Sequence, residues 1–196
     1  YPIWTGIAGA DSIQIPLRPD ETHDLDAMLQ AVTPETRVIF ICSPNNPTGQ
    51  IVDPNELENF IAAVPREIVI VLDEAYIEYV PEEKRSDSIR LYRENSNVVV
   101  LRTFSKAYGL AGLRVGFTIS QEPITNALRK TALPFGVSSI AQAAAIASIN
   151  AESELFERVA SVTAERNRVA GELTAMGYQL NPSYANFVWL RLGSHT

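Results

Sequence analysis

Lys106 stands in the run Thr103-Phe104-Ser105-Lys106, with Arg114 eight residues further on. The cluster joins an amine nucleophile to two hydroxyls and a permanent cation, a set that can hold a phosphorylated aldehyde and bond to it covalently. A neighbouring cation also favours the neutral amine that must attack. A lysine in a loop is ordinarily a solvated surface charge, so the chemistry rests on what stands beside it.

The residues just ahead, 97–102, are mostly apolar and β-branched and read as a buried strand that ends where the hydroxyls begin. Lys106 then lies on the loop beyond the strand's carboxyl end, the edge at which open α/β sheets bind ligands. Residues 68–72 form a second apolar run that passes directly into Asp73-Glu74-Ala75-Tyr76. A carboxylate in that place can pair with a protonated ring nitrogen and keep the ring an electron sink, or it can simply cap the following turn. Residues 38–42 form a third run, followed by Ser43-Pro44-Asn45-Asn46-Pro47-Thr48-Gly49, whose prolines and glycine specify a rigid turn able to aim an amide side chain. Amine, hydroxyls, cation and ring-nitrogen partner together describe a pyridoxal phosphate site.

These three segments resemble the motifs of the fold-type-I pyridoxal phosphate aminotransferases, in particular the branch containing the histidinol-phosphate and aromatic amino acid (phenylalanine) aminotransferases. Residues 43–49, 73–76 and 103–114 match in order and approximate spacing, and the similarity continues through residues 134–139 and Ala185-Asn186-Phe187. The resemblance implies that Lys106 carries the cofactor covalently and later moves the proton between substrate Cα and the cofactor's C4′. It implies that Asp73 pairs with the pyridine nitrogen, that Asn46 and Tyr76 hydrogen-bond the phenolic oxygen, and that Thr103, Ser105 and Arg114 hold the phosphate. Asn186 is the implied substrate-binding residue, and the Asn46-Pro47 bond is implied to be cis.

The implied activity is transfer of an amino group between an aromatic, phenylalanine-like amino acid and 2-oxoglutarate, by a homodimer. Histidinol-phosphate transamination is the alternative. A pyridoxal-phosphate-dependent decarboxylase or lyase and a non-catalytic transaminase-like module are further readings, since the fold serves several chemistries. Family members carry, before the region matching Tyr1, an arm, a helix whose amino end binds phosphate and an aromatic residue that stacks on the ring. Beyond the region matching Thr196 they carry an arginine that grips the substrate carboxylate. By resemblance the chain is therefore a fragment lacking both, inactive alone and exposing apolar surface. Arg191 is a poor substitute for that arginine, because its surroundings match the strand after Asn186.

Composition fits this reading. A chain of 196 residues with 46% hydrophobic content can bury a core without covalent staples. A net charge of −7 and scattered basic residues argue against a nucleic-acid partner. No apolar run has the length of a membrane span, and the expected location is the cytoplasm. The single cysteine, Cys42, falls in a strand and reads as a small core residue. His23 lies in a polar stretch and reads as a solvated loop or cap, and His195, near the end of the sequence, as disordered. Neither has metal-ligand spacing, so no metal is expected. The glycines from Gly109 to Gly116 lack the spacing of a nucleotide loop and are expected to let backbone approach the cofactor, with residues 113–119 entering a strand.

Strands alternating with helical patterns predict an α/β fold, a mainly parallel sheet with helices on both faces. Besides the strands above, residues 12–17 are expected as a strand. Helices are expected at 25–32 after Asp24, and at 53–64, where Asp53 caps, Pro54 opens and Glu56 completes a capping box. Further helices are expected at 124–131, at 139–150, where alanines permit close packing, and at 152–176, ended by Gly177. Short strands at 178–180 and 186–192 follow. The domain reading is 1–150 as a pyridoxal-phosphate-binding large domain, incomplete at its N-terminus. Residues 151–196 read as a long helix with the start of a small, also incomplete, α+β C-terminal domain.

Overall fold

The computed structural model describes residues 1–193. Its β-branched runs pair as three parallel strands, β1 (Val38–Cys42), β2 (Val69–Asp73) and β3 (Val98–Thr103). A fourth, β4 (Gly116–Ile119), joins β3 antiparallel, giving the order β1-β2-β3-β4. Among the described residues the helices are α1 (Pro2–Ile7), α2 (Leu25–Gln30), α3 (Pro54–Ala63), α4 (Ser88–Glu94), α5 (Glu122–Thr131), α6 (Ser139–Ile149) and α7 (Glu152–Ala175). The expected α/β class with a mainly parallel sheet is the one observed. α3 crosses from β1 to β2 and α4 from β2 to β3, as parallel pairing requires.

Side chains alternate across a sheet, and here the two faces do different work. One presents Ile39, Ile41, Ile70, Leu72 and Val98 to Leu25, Leu57, Phe60, Ile61 and Leu91 of α2, α3 and α4, forming the principal core. Ile70 and Val98 have no exposed surface. Each such side chain contributes roughly 2 kcal/mol of burial, which fixes the strand ends that follow. The other face carries Phe40, Val71, Asp73, Val99 and Thr103; Val71 and Val99 are buried on it, whereas Val38 and Phe40 at the edge stand exposed.

Local capping accounts for the helix starts. Asp24 Oδ1 accepts from the Ala27 N–H, and Asp53 Oδ1 accepts from the N–H groups of Asn55 and Glu56, with Pro54 in the first turn. The reciprocal half of the expected capping box is replaced by an ion pair, the Glu56 carboxylate lying 3.0 Å from Arg18. α6 buries Ala141 and Ala145 and lies against α7, so the alanines do serve close packing. α7 buries Leu155 and Val159 in a second cluster with Tyr76, Tyr79, Ala107 and Ala185, and Gly177 follows its end.

Three expected strands do not form. Residues 12–17, 178–180 and 186–192 run without ladder pairing, because among the described residues no neighbouring strand lies beside them. Residues 113–114 also lie outside β4, in a 3-10 turn and its left-handed end. α1 and α4 lie where no helix is expected from the sequence. The reading of His195 concerns residues outside those described.

The turn at 43–49 is rigid. Both Ser43-Pro44 and Asn46-Pro47 are cis, the second as expected. The Gly49 N–H donates to the Asn45 carbonyl at 2.8 Å, and the Gly49 carbonyl accepts from the Tyr184 N–H at 2.8 Å. At φ +75° a Cβ on Gly49 would meet Ser183 Oγ and lie 2.8 Å from Ser183 Cβ. In the full-length protein, Gly49→Ala is expected to lower the unfolding free energy by about 2 kcal/mol or more. Gly171→Ala, inside α7 with open space around it, is expected to raise it by about 0.5 kcal/mol. Urea titration checks both signs.

Candidate active site

Parallel register sets Cys42 opposite Asp73 and Asp73 opposite Leu101, so the carboxyl ends of three strands open at one level. Asp73 is the last residue of β2. Its Oδ1 accepts the Ala75 N–H at 3.0 Å, so it does cap the turn, and its Oδ2 accepts from the Tyr1 hydroxyl. Both roles weighed for this carboxylate can thus be filled at once: one oxygen holds the turn, the other takes a donor on the side of the sheet away from the main core.

Asn46, at the tip of the proline turn, donates from Nδ2 to the Tyr76 hydroxyl at 2.9 Å. Tyr76 is 4% exposed, and the Lys106 ammonium lies 5.2 Å from its ring centroid, a distance at which a cation is attracted to the ring face. Asp73, Asn46, Tyr76 and Lys106 therefore gather at the strand ends. Thr103 ends β3, and its Oγ1 accepts the Ser105 N–H at 3.1 Å, which orients the chain leading into Lys106. Arg114 follows the 3-10 turn 111–113 with φ +53°, and its Nη1 donates to the Ala111 carbonyl at 2.8 Å. A non-glycine residue held in this region is uncommon and costs energy. Thr103 and Ser105 are half-buried and Arg114 is exposed.

Gly116 permits one close backbone approach that the structure shows directly. A Cβ on Gly116 would lie 2.9 Å from the Arg102 carbonyl and 3.5 Å from Thr103 Cα. The close approach it permits is therefore β4 against β3, the strand that carries Thr103.

Several residues of the site carry no sequence signal. Tyr1 stacks on Phe40 with centroids 4.3 Å apart, and its hydroxyl reaches Asp73 and, at 3.2 Å, Cys42 Sγ. Burial, then the Asp73 and Cys42 contacts, push its phenol well above the usual range. Cys42 is thus not a core filler: it ends β1 beside Asp73, and burial pushes its thiol up to about 11, which keeps it protonated and unreactive. His23 is half-buried rather than solvated and donates from Nε2 to the Cys42 carbonyl at 2.9 Å. Glu74, next to Asp73, faces the other way, where it is 5% exposed and pairs with Arg102 at 2.9 Å; burial raises its carboxyl despite that partner.

The predicted substrate residue, Asn186, lies in a segment that bends at 185–187. Its side chain lies beside the Tyr79 hydroxyl, and the Phe187 ring meets Tyr76 edge-on at 5.4 Å. Arg191 is committed elsewhere: Nε and Nη2 donate to Glu21 Oε1 at 3.0 and 2.5 Å.

A model of the family described as aminotransferase class I and II matches residues 2–196. The chain is 60% identical over its whole length to the aromatic amino acid aminotransferase of Streptomyces coelicolor, covering 55% of that protein. It is 56% identical to the protein of the same name from Mycolicibacterium smegmatis, covering 54% of it. The chain thus spans about half the length of the curated relatives it matches. Among solved structures, histidinol-phosphate aminotransferase from Sinorhizobium meliloti, in complex with pyridoxal 5'-phosphate, superposes with a TM-score of 0.87 at 33% identity, over 94% of this chain and 51% of that one. A Thermus thermophilus aspartate aminotransferase shares the fold at 23% identity and a TM-score of 0.84, over 94% of this chain and 53% of that one.

Burial holds the His23 imidazole below its ordinary value of 6.5. The unfolded chain therefore binds more protons than the folded one as pH falls through about 6.5, and stability is lost in that window. Glu74 and Glu78, whose carboxyls burial raises, act in the opposite direction but equally in wild type and variant. His23→Gln, which keeps a donor for the Cys42 carbonyl, is expected to lose less stability than wild type between about pH 7 and pH 5 in urea titrations of the full-length protein.

Proposed function

The chain belongs to the class I and II aminotransferases, and from that premise we propose that the protein is a pyridoxal-phosphate-dependent transaminase acting between an aromatic, phenylalanine-like amino acid and 2-oxoglutarate. The carrying observation is the convergence of Lys106, Asp73 and the Asn46–Tyr76 pair at the carboxyl ends of adjacent parallel strands. The donor set fits the cofactor group by group. Asp73 offers an acceptor for a ring N–H, its Oδ2 already taking a hydroxyl donor from Tyr1. Asn46 and Tyr76 offer donors for a phenolic oxygen, Lys106 offers an amine for an aldehyde, and Thr103, Ser105 and Arg114 offer hydroxyls and a planar cation for a phosphate.

The cofactor, when bound, supplies an electron sink for the charge left at substrate Cα. Asp73 then keeps the ring proton in place, and the bond from Asn46 fixes the orientation of the Tyr76 hydroxyl. Lys106 would hold the group through its amine, and that amine is the base that would remove the proton from substrate Cα. Arg191, paired with Glu21, is not assigned to the substrate carboxylate.

The aromatic substrate rests on relatives at 60% and 56% identity that carry that name. Histidinol phosphate is the second reading, favoured by the solved relative at 33% identity. Residues 1–150 are read as the large cofactor domain and 151–196 as the passage into a small one, which suits a sheet lying wholly between residues 38 and 119. The protein is also read as cytoplasmic and homodimeric. The exposed Trp4, Leu133 and Phe135 suit burial against further protein, and among the described residues no helix is long and apolar enough to cross a membrane.

Full-length protein incubated with pyridoxal phosphate is expected to show an absorbance band that borohydride fixes and Lys106→Ala abolishes. The same substitution is expected to lower kcat with phenylalanine by at least about 10³-fold. Parallel assays with histidinol phosphate test the substrate: a higher kcat/KM for it than for phenylalanine would replace the first reading with the second.

A further inference from the structure

Glu21 occupies a position that its residue type does not favour. The Glu21 N–H donates to the Arg18 carbonyl at 2.8 Å and the Arg18 N–H to the Thr22 carbonyl at 2.9 Å, closing a tight turn with Glu21 at φ +69°. Glycine or asparagine is the usual occupant of such a left-handed position. The side chain is nevertheless 5% exposed and fully engaged. Oε2 accepts from Asn181 Nδ2 at 2.9 Å, and Oε1 accepts from Trp189 Nε1 at 3.0 Å and from Arg191 Nε and Nη2. These donors hold the carboxyl below its usual range although burial opposes them. A strained backbone that persists because its side chain is needed is the kind of outlier from which a role can be argued.

The three donors flank the bend at 185–187, whose Asn186 meets Tyr79 and whose Phe187 meets Tyr76. From the other side, the Glu21 carbonyl accepts from Thr48 Oγ1 at 3.3 Å, inside the turn that aims Asn46. One residue therefore ties the 181–191 segment to the loop that orients the Tyr76 hydroxyl. We propose that Glu21 is a positioning residue that sets amino acid affinity by holding Asn186 and Phe187 against Tyr79 and Tyr76. The proposal rests on the transaminase reading and adds to it a specific source of substrate binding, remote from Lys106.

The test uses full-length holoenzyme with Glu21→Gly, which suits the backbone and removes the carboxylate. KM for phenylalanine is expected to rise roughly tenfold with kcat changed less than about twofold, the pattern of lost binding shared by ground and transition states. Asn186→Ala should raise KM similarly, and the double variant should show no further rise, since both act through one contact. Additive effects, an unchanged KM, or kcat and cofactor absorbance falling together with KM would overturn the proposal. Should Glu21→Gly not fold, Arg191→Ala makes the same test from a partner whose side chain is 62% exposed, with a rise in KM expected and an unchanged KM overturning it. Hydrogen exchange separates this idea from the functional reading. Amides of residues 185–187 should exchange roughly tenfold faster in Glu21→Gly whichever substrate the enzyme uses, and unchanged exchange would sink the clamp even in an active transaminase.

Discussion

Parallel pairing of β1, β2 and β3 places Cys42 beside Asp73 and Asp73 beside Leu101, and the candidate site depends on that registry more than on any side-chain contact. Because side chains alternate, a slip of one residue would turn Asp73 into the core and bring Glu74 to the site. Glu74 guards against the slip. Its carboxylate is buried on the opposite face against Arg102, a pairing that a shifted strand would break at the cost of an unpaired buried charge. Two adjacent acids thus serve opposite faces, Asp73 at the candidate site and Glu74 in alignment.

The three apolar runs at 38–42, 68–72 and 97–102 were legible as strands because both their faces are largely apolar, and the polar residues that follow them were legible as lying at the strand ends. Asn46, Asp73, Tyr76, Thr103 and Lys106 all stand where that pattern predicts. Residues 12–17, 178–180 and 186–192 carry similar local patterns but remain unpaired, since a strand needs a partner that local sequence does not specify. Glu21, His23 and Tyr1 were illegible for a related reason. Their partners, Arg191, Cys42 and Asp73, lie far along the chain, and a glutamate gives no notice that its backbone is left-handed.

Arg114 and Glu21 share that left-handed backbone, and each lies at the border of the site. In both, side-chain bonds offset the conformational cost: Arg114 to the Ala111 carbonyl, Glu21 to three donors. α2, α3 and α4 pack on one sheet face, whereas both left-handed residues lie in turns outside those helices.

The contacts that span this chain also order its assembly in time. β1, β2 and β3 are neighbours in sequence as well as in the sheet, so the scaffold of Asp73 and Lys106 closes over short loops. The Glu21–Arg191 pair joins residues 170 positions apart, and closing so long a loop is entropically the slower event. During synthesis the three parallel strands can therefore pair while the bend at 185–187 is still being made. The nascent chain passes through a stage in which the sheet is formed but Tyr76 and Ala107 still lack the packing that Leu155, Val159 and Ala185 supply.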